Sequence, residues 1–292
     1  MAEVGAATSA SKPTTMNRGL RMFLFRSAGG FGALLVLACA LGAVFAPYLT
    51  QYDAITLNPA DRLQGPSAEH LLGTDQYGRD TFTRILYGGR SSLSVAGAAV
   101  AFALLVGGAL GVLAGYRGGW PDMLIMRVCD VLLSFPAVLL AIALIAFLGG
   151  GFINLVLAIG LTYVGPFARV ARAAVLTVRE ELFVEASRAL GSRDWRVVLI
   201  AVLPTAAAPL IVEVTLRLAY GILAEASLSF LGLGTQPPTP SWGLMVADGR
   251  RFLQLAPWAT VAPGLAIMVV VLGFNLLGDG LRDALDPRLK NR

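Results

Sequence analysis

The chain has 292 residues, 56% of them hydrophobic and 14% charged, with a formal net charge of +5 and a mean hydropathy of +0.71. This balance excludes a chain built for water and describes a multi-pass membrane protein. No basic tract carries interleaved aromatics, which argues against nucleic acid as a partner.

A spanning helix needs about 20 apolar residues, and intervals free of Asp, Glu, Lys and Arg locate the candidates in chain order. A basic tail, residues 1–26, precedes a first span over 27–48, inside the uncharged interval Ser27 to Gln51. Ala38-Cys39-Ala40 resembles a signal cleavage site, but the apolar run continues past it, which favours an uncleaved anchor. Residues 49–91 read as an external loop. Within it Asp75 or Thr74 would cap a short amphipathic helix carrying Tyr77, Phe82, Ile85 and Leu86, ended by Gly88-Gly89.

Residues 92–280 read as a core of five further spans. The first, within Ser91 to Tyr116, carries Gly107, Gly111 and Gly115 at four-residue intervals, a pattern that lets another helix approach closely in lipid. Two spans follow, one beginning near Asp122 and one ending near Ala168, separated by the break Gly149-Gly150-Gly151. Pro136 and Pro166 are expected to kink them and free backbone carbonyls. After a charged central segment, about 173–204, come spans over Thr205 to Gly232 and within Phe252 to Gly278. The loop GLGTQPPTPSWG between them is too rich in Gly and Pro for a helix. Residues 281–292 form a tail. The total is six spans, with five or seven as the alternatives.

With the N-terminus inside, 16 of the 23 Lys and Arg fall in cytoplasmic segments. Six (Arg62, Arg79, Arg84, Arg90, Arg250, Arg251) fall outside and Arg217 lies within a span. The bias places both termini and the central segment in the cytoplasm. Lys12 and Lys290 are the only lysines and neither follows Gly, so the chain lacks a phosphate-binding P-loop of its own. His70 is the only histidine, which argues against a His-based metal site or a Ser-His-Asp triad. Cys39 and Cys129 lie in spans and read as packing residues. Glu213 and Arg217, four apart on one span, and Glu225 further along it are intramembrane charges. They read either as a structural ion pair or as part of a transport path.

The central segment reads as two short helices joined by a glycine turn. The run from Ala173 places Leu176, Leu182, Phe183, Ala186 and Leu190 near one face, and Gly191 suits the C-terminal cap. Ser192 or Asp194 starts the second helix, and Pro204 stands at the start of the next span. Such a unit either lies in the headgroups or docks rigidly into a cytoplasmic partner.

Glu185 to Pro204 resembles the motif of ATP-binding-cassette importer permeases: Glu-Ala-Ala, three residues, Gly, nine residues, then Ile, any residue, Leu-Pro. Glu185, Ala186, Gly191, Leu203 and Pro204 match; Ser187 replaces the second alanine and Ala201 the isoleucine. More narrowly, the chain is similar to the C-type subunit of dipeptide, oligopeptide and nickel importers. The stretches that carry this are HLLGTDQYGRDTFTRILYGGRSSL, GYRGGWPD, DVLLSFPAVLLAI, FVEASRALG, ILAEASLSFLGLG, PSWG and GDGLRDALDPRLK, in order along His70 to Lys290.

The resemblance implies an all-α type I importer permease fold of about six transmembrane helices in the inner membrane. Glu185, Ala186, Ser187, Gly191, Leu203 and Pro204 would form the coupling segment, seated in a cleft of the ATPase subunit. It further implies no catalysis and no cofactor in this chain, ATP and Mg being bound by two separate ATPase subunits. A second permease subunit and an extracytoplasmic substrate-binding protein would complete the complex. Peptides are the leading substrate class, with nickel and glutathione also served by the family. Asp283 and Arg288, in the tail at the inner surface, read either as contacts to the ATPase or as part of a solvated terminus. The competing reading is an ion-coupled secondary transporter using Glu213, Arg217 and Glu225.

Overall fold

The computed structural model describes residues 28–285, and the described residues are helical without a β-sheet. The expectations for the tail 1–26, for Ser27, for Arg288 and for the end of the C-terminal tail lie outside them. The helices are α1 (Ala28–Val44), α2 (Ala46–Leu49), α3 (Thr81–Arg117), α4 (Gly119–Leu133), α5 (Ala137–Leu148), α6 (Phe152–Val178), α7 (Leu182–Ala189), α8 (Asp194–Val197), α9 (Leu203–Phe230), α10 (Trp242–Gly249) and α11 (Trp258–Leu285). Four stretches are long and apolar enough to cross a membrane: α3, α6, α11, and the continuous run from Asp194 to Phe230 that joins α8 to α9. The pair α4 and α5 counts as a fifth where its two bent halves are taken as one span, and α1 is a shorter apolar helix of 17 residues.

Several boundaries differ from the sequence expectation. The helix before the second span is not short and does not stop at Gly88-Gly89, because α3 runs unbroken for 37 residues. Its cap is Asp80, whose Oδ2 accepts from the Thr83 amide at 2.7 Å, rather than Asp75 or Thr74. Gly88 and Gly89 survive inside the helix because the Trp242 ring packs against them, where tertiary contact outweighs helix propensity. The span expected from Asp122 is broken by a 90° bend between α4 and α5. Pro136 causes it: the ring drives Phe135 out of the helical region, and Pro136 has no amide to continue the ladder. Pro166, by contrast, lies inside an uninterrupted α6.

The glycine repeat of α3 explains how the bundle is held. A Cβ on Gly107 would sit 2.3 Å from the carbonyl oxygen of Val164, one on Gly111 2.2 Å from that of Ala168, and one on Gly115 2.9 Å from that of Arg172. The three contacts advance in the same direction along both helices, so α3 and α6 run parallel with backbones nearly touching. In lipid, where apolar burial between helices is weak, close dispersion contact of this kind is what associates them.

Around that seam, Val95, Ala99, Ala103, Ile159, Phe167, Leu210 and Leu228 form the main core. A second cluster joins α9, α10 and α11 to α3 through Ala96, Ile222, Trp242, Val270 and Phe274. The bundle thus has two ends. One, the crown, carries residues 45–80 and 231–257; the other, the base, carries the turn at Gly118 and the segment between α6 and α9.

Candidate functional site

At the base the chain leaves the bundle and returns. α6 ends at Val178, and a break at Arg179–Glu181 separates it from α7, so the single helix expected from Ala173 to Leu190 is two helices. α7 ends in a complete Schellman cap: Ser192 N donates to Ser187 O at 3.2 Å, Gly191 N to Arg188 O at 2.9 Å, and Gly191 stands at φ +80°. Gly191 therefore fills the capping role its sequence position implied.

After the turn the chain is helical from Asp194 onward. It passes through a π-helical turn over Val198–Val202 directly into α9. Leu203 and Pro204 thus lie within a continuous helical path rather than at a fresh start, and the interposed π turn is the kind of local unwinding that often marks functional segments.

The face that anchors this unit is not the expected one. Val184 is the fully buried residue of α7, packed in a cluster with Val175, Val178, Val197, Val202 and Ala206. Leu182 is 80% exposed, Leu190 87% and Trp195 60%, and Phe183, Ala186, Leu199 and Ile200 are exposed with them. Glu185 is exposed, and Ser187, half-buried, turns its hydroxyl back to Phe183 O at 2.8 Å. The unit therefore exposes apolar side chains and charged ones on a valine-anchored base.

Bonds from α3 and α6 brace it. Tyr116 donates to Asp194 Oδ1 at 2.8 Å, the Arg188 guanidinium lies 4.9 Å over the Tyr116 ring, and Arg179 donates to Gly115 O at 2.8 Å. Arg172 forms a bidentate pair with Asp122 and Arg169 pairs with Asp130 at 2.7 Å, tying α6 to α4. Tyr116, Val184 and Asp122 lie within the quoted stretches GYRGGWPD and FVEASRALG, but sequence reasoning gave them no role at this site, because only the fold brings them together.

The intramembrane charges separate into two places. Glu213 and Arg217 form the i, i+4 pair anticipated from their spacing, with Arg217 Nε 2.6 Å from Glu213 Oε1. Arg217 also lines a cavity of about 240 Å³ with Tyr163, Tyr220, Thr162 and Ser227. Glu225 is elsewhere: fully buried, it accepts from Ser229 Oγ at 2.7 Å, and Ser229 Oγ in turn accepts from Thr235 N. That knot fixes the start of the Gly- and Pro-rich loop, so the three charges do not form one site.

At the crown the segment expected as a loop is a folded polar module. Asp75 accepts from Arg79 Nε at 2.7 Å and lies 3.4 Å from Arg84 Nε, and Arg84, 2% exposed, donates to Ala54 O at 2.8 Å. His70, buried, is 2.9 Å from Asp80 Oδ1, and Trp258 donates to Thr74 O at 3.0 Å. A wider cavity beside it, about 620 Å³, is lined by Arg62, Tyr77, Asp248, Arg250 and Arg251. Burial pushes the Asp248 carboxyl above the usual carboxylate range, with Arg84 and Arg79 opposing the shift.

Comparison with known proteins fits this geometry. Residues 107–291 match the family described as binding-protein-dependent transport system inner membrane component. The chain is 50% identical over 260 residues to the dipeptide transport system permease protein DppC of Alkalihalophilus pseudofirmus, covering 89% of this chain and 86% of that one. It is 44% identical over 272 residues to the glutathione transport system permease protein GsiD of Pectobacterium atrosepticum, covering 93% and 90%. Among solved structures, an inward-facing form of the MetNI methionine ABC transporter shares the fold, with a TM-score of 0.57 at 19% identity over 69% of this chain and 96% of that one.

Proposed function

The chain belongs to the family of binding-protein-dependent transport system inner membrane components, and on that premise we propose how its geometry serves import. It is the permease subunit of an ATP-driven importer and takes short peptides, the class to which the ligands in the names of its dipeptide and glutathione relatives belong. It carries out no catalysis; ATP and Mg are bound by two partner ATPase subunits, and a second permease completes the path. The crown faces the substrate-binding protein, while both termini and the base face the cytoplasm.

The observation that carries the coupling role is the base unit: exposed Leu182, Leu190 and Trp195 on a segment pinned inside the bundle by Val184. When the ATPase cleft closes on that surface, the continuous helix from Asp194 to Phe230 passes the displacement into the membrane. A full two-state swing needs about 5.5 kcal/mol of differential binding, which a braced, capped unit can transmit and a loose loop cannot.

The test is purification of the tagged protein from its own membranes in mild detergent, with ATP hydrolysis assayed with and without Gly191→Pro. Co-purifying permease and ATPase subunits whose coupled hydrolysis is lost in the variant are the expected result. A solitary chain that imports on a proton gradient alone would overturn the reading.

A further inference from the structure

We propose that Arg217 is a carboxylate-binding residue within the membrane, taking the free carboxylate of a translocating peptide; this rests on the peptide-import reading above. α9 runs from Leu203 to Phe230, which puts Arg217 about 20 Å from either end at 1.5 Å per residue. It therefore lies well inside the candidate span Asp194–Phe230. A guanidinium there is costly unless it faces a partner or a water-filled path.

Its one protein partner engages one of its donors. Nε binds Glu213 Oε1 at 2.6 Å, while a guanidinium has five N–H donors in a planar fork. The remaining four have no hydrogen-bond partner among the described residues. Arg217 lines the 240 Å³ cavity and Glu213 is not among its lining residues, so the arginine is the member of the pair that a molecule in the cavity would meet. Glu213 keeps the arginine affordable in the membrane without occupying the fork.

The surroundings match one end of a peptide. The Tyr163 and Tyr220 rings lie 5.4 Å and 5.9 Å from the guanidinium carbon and hold its orientation through cation–π contact. Ala137, Ile159 and Leu223 supply apolar wall, suited to a side chain next to the carboxylate. Planar, bidentate recognition of a carboxylate is the chemistry for which arginine outperforms lysine.

The experiment uses the complete complex in proteoliposomes with its binding protein. Uptake is compared for a dipeptide with a free C-terminal carboxylate and its C-terminal amide, each at a concentration that saturates the binding protein as measured separately. The wild type should import the acid at least about tenfold faster than the amide, the ratio expected of one charged hydrogen-bonding contact. In R217Q, and in E213Q/R217Q, which leaves no unpaired charge in the span, the ratio should fall to about one through loss of acid uptake. R217K should retain a preference of intermediate size.

An acid-to-amide ratio equal in wild type and both variants overturns the subsite alone, as does equal loss of both substrates, which would mean that the cavity is filled by the neighbouring permease. If the wild-type complex imports neither peptide, the peptide reading fails and the subsite with it.

Discussion

The Tyr116 hydroxyl, in the last turn of α3, donates to Asp194 Oδ1 at 2.8 Å, joining two residues 78 positions apart. One end of this bond belongs to the glycine seam of the bundle, the other to the first residue of the helix that follows the Gly191 turn. It ties the unit at the base directly to α3. Tyr116→Phe and Asp194→Ala should each lower stability by about 1 kcal/mol. In the double variant the losses should not add, because both delete the same bond. A thermal-unfolding cycle on the detergent-solubilised protein checks this, and strict additivity would show that the bond contributes nothing.

Val184 anchors the unit. Val184→Asp places a carboxylate among Val175, Val197 and Val202 with no partner, which costs several kcal/mol locally. The protein should still insert, since α7 lies outside the spans, but binding protein should no longer stimulate ATP hydrolysis. Measuring membrane abundance and stimulated hydrolysis side by side distinguishes this from general misfolding. Glu185→Lys, exposed on the same helix, should lose coupling with no loss of stability.

The seam between α3 and α6 has no room. Gly111→Leu requires side-chain atoms where the Ala168 carbonyl oxygen already stands, so the variant should fail to accumulate as folded protein. Gly97→Ala lies on the same helix with nothing within 4 Å of the added methyl and should be silent or slightly stabilising. Fluorescence-detected size-exclusion of the two variants tests the contrast; comparable profiles would refute close packing at Gly111.

In the crown, Asp75→Ala strands Arg84, 2% exposed, beside Arg79. Breaking a buried ion pair from one side costs about 3–5 kcal/mol. Loss of the native fold by thermal unfolding is expected, with Asp75→Asn intermediate because the amide oxygen still accepts a hydrogen bond. A variant as stable as the parent would mean that the crown is not held by this carboxylate.

The all-helical apolar architecture, the Gly191 cap and the glycine seam were legible in the residues because they depend on local chemistry. Runs without charge mark lipid-crossing helices, Gly191 at a helix end marks a left-handed cap, and the four-residue glycine spacing marks a helix seam. Glu213 and Arg217 were legible as a pair because i, i+4 neighbours meet on any helix.

The tertiary structure alone decided which partners those features find. That Gly88-Gly89 continue a helix follows from the Trp242 ring packed against them. That Val184 is buried while Leu182 and Leu190 are exposed follows from the break at Arg179–Glu181, which periodicity carried from Ala173 cannot anticipate. That Arg217 lines a cavity while Glu225 is sealed in a separate knot follows from the helices surrounding α9. A sequence records the period of a face, but the direction of that face is set by the packing of elements distant along the chain.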